Sequence, residues 1–172
     1  MKLSLKIIAA AALGLAGPAM AQSSTATATA TASVIQPISV TKATDLSFGA
    51  FVRPATGANT IAINSATGTR SLTGGGNGAL TASSTSRAAF TVGGEGAQTF
   101  SITVPPTVSI TRAGGTETLP VTLSASGATG ALSGTVGGDG TATFGVGGTL
   151  PLDSSVVGGS YSGAFDVTVG YN

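Results

Sequence analysis

From residue 34 to the C-terminus the apolar side chains of this chain return at every second position, in short runs cut off by glycine. The clearest run closes the chain. Tyr161, Gly163, Phe165, Val167, Val169 and Tyr171 alternate with Ser162, Ala164, Asp166, Thr168 and Gly170. Successive side chains of a strand point to opposite faces, so this pattern predicts one continuous strand with an aromatic, apolar face and a small or polar one. Burying each large member is worth about 1.5–3 kcal/mol, which places that strand at the centre of the core.

The other runs read the same way. Residues 89–92 and 100–104 alternate on either side of Gly93-Gly94-Glu95-Gly96 and predict a hairpin. Residues 108–111 turn at Ala113-Gly114-Gly115 into residues 119–123, and residues 142–146 turn at Gly147-Gly148 into residues 150–152. Residues 60–63 supply another strand, and so do residues 34–40, where Pro37 marks an edge or a start. Residues 45–51 form a short apolar segment closed by Arg53-Pro54, and residues 68–77 read as loop. No long run places apolar positions three to four apart. Short strands at roughly 8–12-residue spacing predict an all-β, antiparallel, two-sheet, immunoglobulin-like β-sandwich over residues 34–172, with minimal helix outside the leader.

Ahead of that domain, Met1-Lys2-Leu3-Ser4-Leu5-Lys6 precedes an apolar run over residues 7–16 and the small-residue end Ala19-Met20-Ala21. This is the pattern of a signal peptide cleaved after Ala21. A membrane-spanning helix needs about 20 apolar residues, more than this run holds, and no other segment is long and apolar enough to span. The protein is therefore expected in the periplasm, at the cell surface or outside the cell. In residues 22–33, Thr25, Thr27, Thr29 and Thr31 alternate with Ala26, Ala28, Ala30 and Ala32. That period suits a strand with a small-residue face, a donor segment or a flexible linker.

Composition narrows the function. Charged residues make up 8% of the chain and there are 27 glycines, but 41% of residues are hydrophobic, too many for a chain that stays disordered. Outside the leader, Lys42, Arg53, Arg70, Arg87 and Arg112 face six acidic residues, all scattered singly. There is no basic stripe to neutralise phosphates, so nucleic acid is not an expected partner. Cysteine is absent, and no disulfide is available although export would permit one.

The absence of His and Cys removes the commonest general base, the commonest metal ligand and the thiol nucleophile. Lys42 sits in no motif that would activate a serine. Asp45, Glu95, Glu117, Asp139, Asp153 and Asp166 are the carboxylates from which a glycosidase-type pair would be drawn, yet none sits in a motif. Gly137-Gly138-Asp139-Gly140-Thr141 is a single glycine-rich turn with one carboxylate, too few oxygens for a calcium ion. No catalytic residue, cofactor or metal is expected. With no Trp and two Tyr, the aromatic platform for sugar binding is thin.

Taken in order, Val34-Ile35-Gln36-Pro37-Ile38, Asp45-Leu46-Ser47-Phe48-Gly49, Ala89-Phe90-Thr91-Val92-Gly93-Gly94, Phe100-Ser101-Ile102-Thr103-Val104-Pro105, Val146-Gly147-Gly148-Thr149-Leu150 and the segment from Gly159 to Asn172 resemble domain-of-unknown-function family 4402, exported bacterial proteins. The early Leu46-Ser47-Phe48-Gly49 and the terminal alternation are also similar to pilin subunits of chaperone–usher fibres, including the spore-coat-U-like type. That resemblance implies an immunoglobulin-like sandwich lacking one strand, held by a periplasmic chaperone and completed by an extended segment of an identical or related subunit through β-strand addition. Tyr171 would correspond to the penultimate tyrosine of such pilins. Tyr161, Phe165, Val167, Val169 and Tyr171 would form the assembly edge. The chain departs from the pattern in lacking the disulfide frequent in those pilins. It also offers alanines in residues 25–33, where a deep groove takes bulkier side chains.

Two functions follow. One is a non-enzymatic structural or adhesive protein, a cell-surface or fimbria-like subunit. The other is a self-complete secreted or periplasmic carbohydrate-binding module, in which residues 25–40 pair within their own domain.

Overall fold

The structure, a computed structural model, describes residues 21–172, so the predicted leader lies, Ala21 apart, outside the described residues. The chain divides into Met1–Ser33 and Val34–Asn172. In the first unit, residues 21–33 form neither helix nor strand and are exposed. The second unit carries thirteen strands and no helix among its residues. In chain order these are β1 (Ser39–Thr44), β2 (Phe51–Val52), β3 (Ala58–Ile63), β4 (Arg70–Gly74), β5 (Ala79–Leu80), β6 (Ala88–Glu95) and β7 (Thr99–Thr103). They continue with β8 (Thr107–Arg112), β9 (Thr118–Ala125), β10 (Thr129–Ala131), β11 (Asp139–Asp153), β12 (Tyr161–Ser162) and β13 (Thr168–Tyr171).

All pairs are antiparallel. The larger sheet runs β1-β6-β11-β9-β8-β12, and the second half of β11 also takes β3 and then β4. A three-stranded sheet, β10-β7-β13, and the small pair β2-β5 complete the framework. Alternation drives this directly. In β9, Leu119, Val121 and Leu123 are buried while Thr118, Pro120 and Thr122 face out; in β3, Asn59, Ile61 and Ile63 are the inward set. Phe90 and Phe144, opposite each other across β6 and β11, stack with ring centroids 5.2 Å apart. Phe100 from the three-stranded sheet enters the same core as Val92, Val121 and Val146. The two sheets therefore share one interior, the arrangement of a β-sandwich.

The structure corrects several expected connections. Residues 89–92 and 100–104 do not form a hairpin: β6 pairs with β1 and β11, whereas β7 pairs with β10 and β13. The glycines between them do not turn, because β6 stays extended through Gly93 and Gly94, and the reversal comes later at Ala97, whose φ is +60°. A side chain at 94 would collide with the Tyr171 hydroxyl, so this glycine serves close approach rather than a bend. Gly147-Gly148 is likewise not a turn. β11 runs straight through it, buried on both faces over residues 144–148, and a Cβ at 147 would strike the Ile63 carbonyl oxygen.

Residues 68–77 are not all loop, since β4 pairs with β3 and Leu72 packs against the core. Residues 34–38 precede the first strand, which begins at Ser39; Pro37 has no N–H to give a ladder. The terminal alternation is not one central strand. β12 pairs with β8 in the larger sheet, residues 163–167 pair with no strand among the described residues, and β13 pairs with β7 in the smaller sheet. Tyr161, Phe165, Val167, Val169 and Tyr171 are accordingly half-buried rather than central: Tyr161 at the edge of the larger sheet, Val169 and Tyr171 at the edge of the smaller one, and Phe165 and Val167 in the unpaired stretch between them.

Replacing Gly147 by alanine is expected to lower stability by about 1–3 kcal/mol, through forced separation of β11 from β3. Gly75→Ala, where a Cβ meets no atom within 4 Å, is expected to stay within about 0.5 kcal/mol of the parent. Urea unfolding of the two variants beside the parent measures both.

Candidate functional site: an apolar groove beside the C-terminal segment

The three-stranded sheet does not reach over the whole inner face of the larger one. Where it stops, a groove of about 480 Å³ opens between residues 46–51 and residues 159–165. Its floor is Val108 and Ile110 of β8, Leu119 and Val121 of β9, and Leu150 of β11. These are inward members of alternating strands, so the groove is a stretch of core surface without a second layer. Leu46, Phe48 and Phe51 form one wall, and Tyr161 and Phe165 the other.

The wall at residues 46–51 is tied down by the β2–β5 pair, by the bond from the Ala50 N–H to Ser83 Oγ (2.8 Å) and by one arginine. Arg70 of β4 donates through Nη1 to the carbonyls of Phe48 (2.9 Å) and Ala50 (3.0 Å) and to Ser83 Oγ (3.3 Å), and through Nη2 to the carbonyl of Thr81 (2.6 Å). A guanidinium suits this work, since its planar fork presents five fixed donors. Ser47 adds a backbone bridge to Ser86, with N–O distances of 2.8 and 3.1 Å. Gly49 lets the segment turn: its φ is +68°, and a Cβ there would press on Ser83, Thr85 and Arg70. This is the physical content of the Leu46-Ser47-Phe48-Gly49 run. Arg70 itself was not legible as a site residue. The one signal was a lone cation beside glycine loops in a stretch without acids.

The opposite wall is fixed only over residues 160–162. Tyr161 and Ser162 pair with Arg112 and Thr111, and the Tyr161 hydroxyl donates to the Val157 carbonyl at 2.7 Å. Beyond Ser162 the chain lies along β8 without pairing, with Gly163 close to Ser109 and Ile110. Of the five residues expected to form an assembly edge, Tyr161 and Phe165 line the groove. Val167, Val169 and Tyr171 do not, and the last two belong to β13.

One end of this wall carries an ion pair. Arg112 Nε and Nη2 donate to Glu117 Oε2 (2.8 Å) and Oε1 (3.1 Å) across the β8–β9 turn. That hydrogen bond from Arg112 is the main reason the Glu117 carboxyl falls from its ordinary 4.5 to about 2, and the same bond raises Arg112.

The remaining carboxylates converge on no catalytic arrangement. Asp45 pairs with exposed Lys42 at 2.6 Å, and Asp153 accepts from the Ser155 backbone and hydroxyl, which pulls its pKa down. Asp166 is exposed in the unpaired stretch. Glu95 and Asp139 are cross-strand partners, but both Glu95 oxygens accept backbone N–H groups, leaving no free carboxylate facing a cleft. Among the described residues no cluster of three or more acidic, His or Cys side chains is placed to hold a metal.

A family model described as "Domain of unknown function (DUF4402)" matches residues 38–171. No curated protein and no solved structure matches the chain.

Two measurements test the site's construction. Arg70→Met, which removes four hydrogen bonds, is expected to free residues 46–51 and make limited proteolysis cut there first; uncut walls would contradict this account. The Glu117 carboxyl resonance is expected to titrate near pH 2 and to return toward 4.5 in Arg112→Ala. Because folding lowers this pKa, the stability the pair contributes is present above pH 4.5 and disappears as pH falls from there through about 2.

Proposed function

The chain belongs to the DUF4402 family, and from that premise we propose that it is a non-enzymatic, exported structural or adhesive protein, a fimbria-like cell-surface subunit that joins a second copy by β-strand addition. The observation that carries this reading is the groove. It is an apolar trough floored by core residues, and the backbone of residues 163–167 beside it pairs with no strand. Unpaired strand edges next to uncovered apolar surface invite another strand. In this reading the sandwich is immunoglobulin-like, with one strand position filled from outside.

The occupant is the N-terminal segment of a second copy. Residues 21–33 form no element and are exposed, and Val34 and Ile35 remain 93% and 45% exposed. Ala26, Ala28, Ala30, Ala32 and Val34 share the parity that an extended strand turns to one face. Each alanine buries little, so a single junction is expected to be weak. The leader pattern supports export, and a periplasmic chaperone would cover the groove before assembly.

A second reading rests on the rings of Phe48, Phe51, Tyr161 and Phe165, which line the groove as aromatic side chains line many sugar sites. A saturable hit in a glycan screen, lost in Phe165→Ser, would favour a carbohydrate-binding module.

The chain has no cysteine, so engineered thiols give an unambiguous test. When Ala30→Cys and Ser162→Cys proteins are mixed and oxidised, disulfide-linked mixed dimers are expected in excess over same-variant dimers. Statistical pairing only, or monomers throughout, would overturn the assembly reading.

A further inference from the structure

Glu95, 2% exposed, is the one buried acidic residue among those described. A carboxylate out of water is costly unless it is paired or hydrogen-bonded, and Glu95 takes part in neither of the two ion pairs, Lys42–Asp45 and Arg112–Glu117. Its partners are backbone amides. Oε2 accepts the Gln36 N–H at 3.2 Å, and Oε1 accepts the Gly137 N–H. The Glu95 N–H in turn donates to the Tyr171 hydroxyl at 2.7 Å, and that hydroxyl donates to the Gln36 carbonyl at 2.9 Å.

Gln36 is thus held by both its N–H and its C=O, from β6 and from β13. Pro37 follows, and Ser39 begins β1. That strand is an edge, pairs with β6 alone, and leaves all but one of its residues exposed. An edge strand pulled from its first residue opens one pair at a time, and β1 would open from Ser39 against Gly93. A hold placed before Ser39 has to fail before that can start.

We infer that Glu95 and Tyr171 form a clamp on Gln36 that keeps motion or tension in the chain before Val34 from peeling β1 off β6. The buried carboxylate then has a use that stability alone does not give it, because without the clamp the two polar groups of Gln36 would simply return to water. The clamp stands on its own contacts and does not require the assembly reading. It would matter most to a subunit whose N-terminal segment is gripped by another.

Hydrogen exchange on the full chain tests it, with Tyr171→Phe and Glu95→Gln, each close to its parent in shape. In both variants the β1 amides are expected to exchange at least about tenfold faster, while amides of β4 and β12, edge strands that open without breaking the clamp, keep their parental rates and the urea midpoint falls no further than that factor accounts for. Unchanged β1 exchange in Tyr171→Phe would overturn the clamp, and so would equal acceleration in every strand, which would mark the two residues as general stabilisers. Single-molecule extension from the N-terminus gives a second reading. The parent is expected to lose β1 together with the rest of the sandwich, and Tyr171→Phe to release it first in a separate, weaker event; one identical event in both proteins would overturn the proposal.

Discussion

The backbone pairing of β11 sets the positions of the other strands. Over its fifteen residues it pairs with β6 from Asp139 to Val146, with β3 from Gly148 to Asp153, and with β9 on the opposite edge across the join. Such a strand has to be buried on both faces at its middle, and residues 144–148 are, with small Gly145, Gly147 and Gly148 where neighbouring backbones come close. Partners on one edge are thereby split into two groups. The three-stranded sheet contributes Phe100 to the core beside Val92 and lines no part of the groove. The exposed core surface over β8 and β9 is the geometric remainder of that arrangement.

With so few charges, three of the five cations among the described residues are applied to the backbone, the other two to carboxylates. Arg70 holds residues 48 and 50, Arg87 holds the carbonyls of Ser65 and Ala66, and Arg53 reaches the Ser154 carbonyl. In a chain without disulfides these side chains tie loops that hydrophobic burial alone would leave loose. The pattern also bears on function. Side chains whose donors are already occupied by carbonyls of their own chain are poorly placed to receive an anionic ligand.

Which residues face inward was legible from the sequence; which strands are neighbours was not. Leu119, Val121 and Leu123 face the core as their alternation requires, and the β8–β9 hairpin forms around its glycine turn. Period two specifies a face and is silent about partners, so β6 and β7, consecutive and both alternating, were free to join different sheets. Glycine doublets mislead for a related reason. At residues 93–94 and 147–148 the missing side chain makes room for Tyr171 and Ile63, and nothing in the local letters separates room from reversal. The terminal alternation concealed a strand that changes sheets between Ser162 and Thr168. Of the groove, the Leu46–Gly49 wall and the Tyr161–Phe165 wall were within reach of sequence reasoning. The arginine that fixes the first wall was not, because the carbonyls it bonds belong to no motif.

The choice of an arginine at position 70 has a consequence for how the first wall is held. A guanidinium keeps its charge throughout the biological pH range, and the chain holds no histidine whose charge would change between about pH 5 and 8. The carbonyls of residues 48 and 50 that the guanidinium grips bear no titratable proton, so this hold needs no particular protonation state of a neighbouring carboxylate or imidazole.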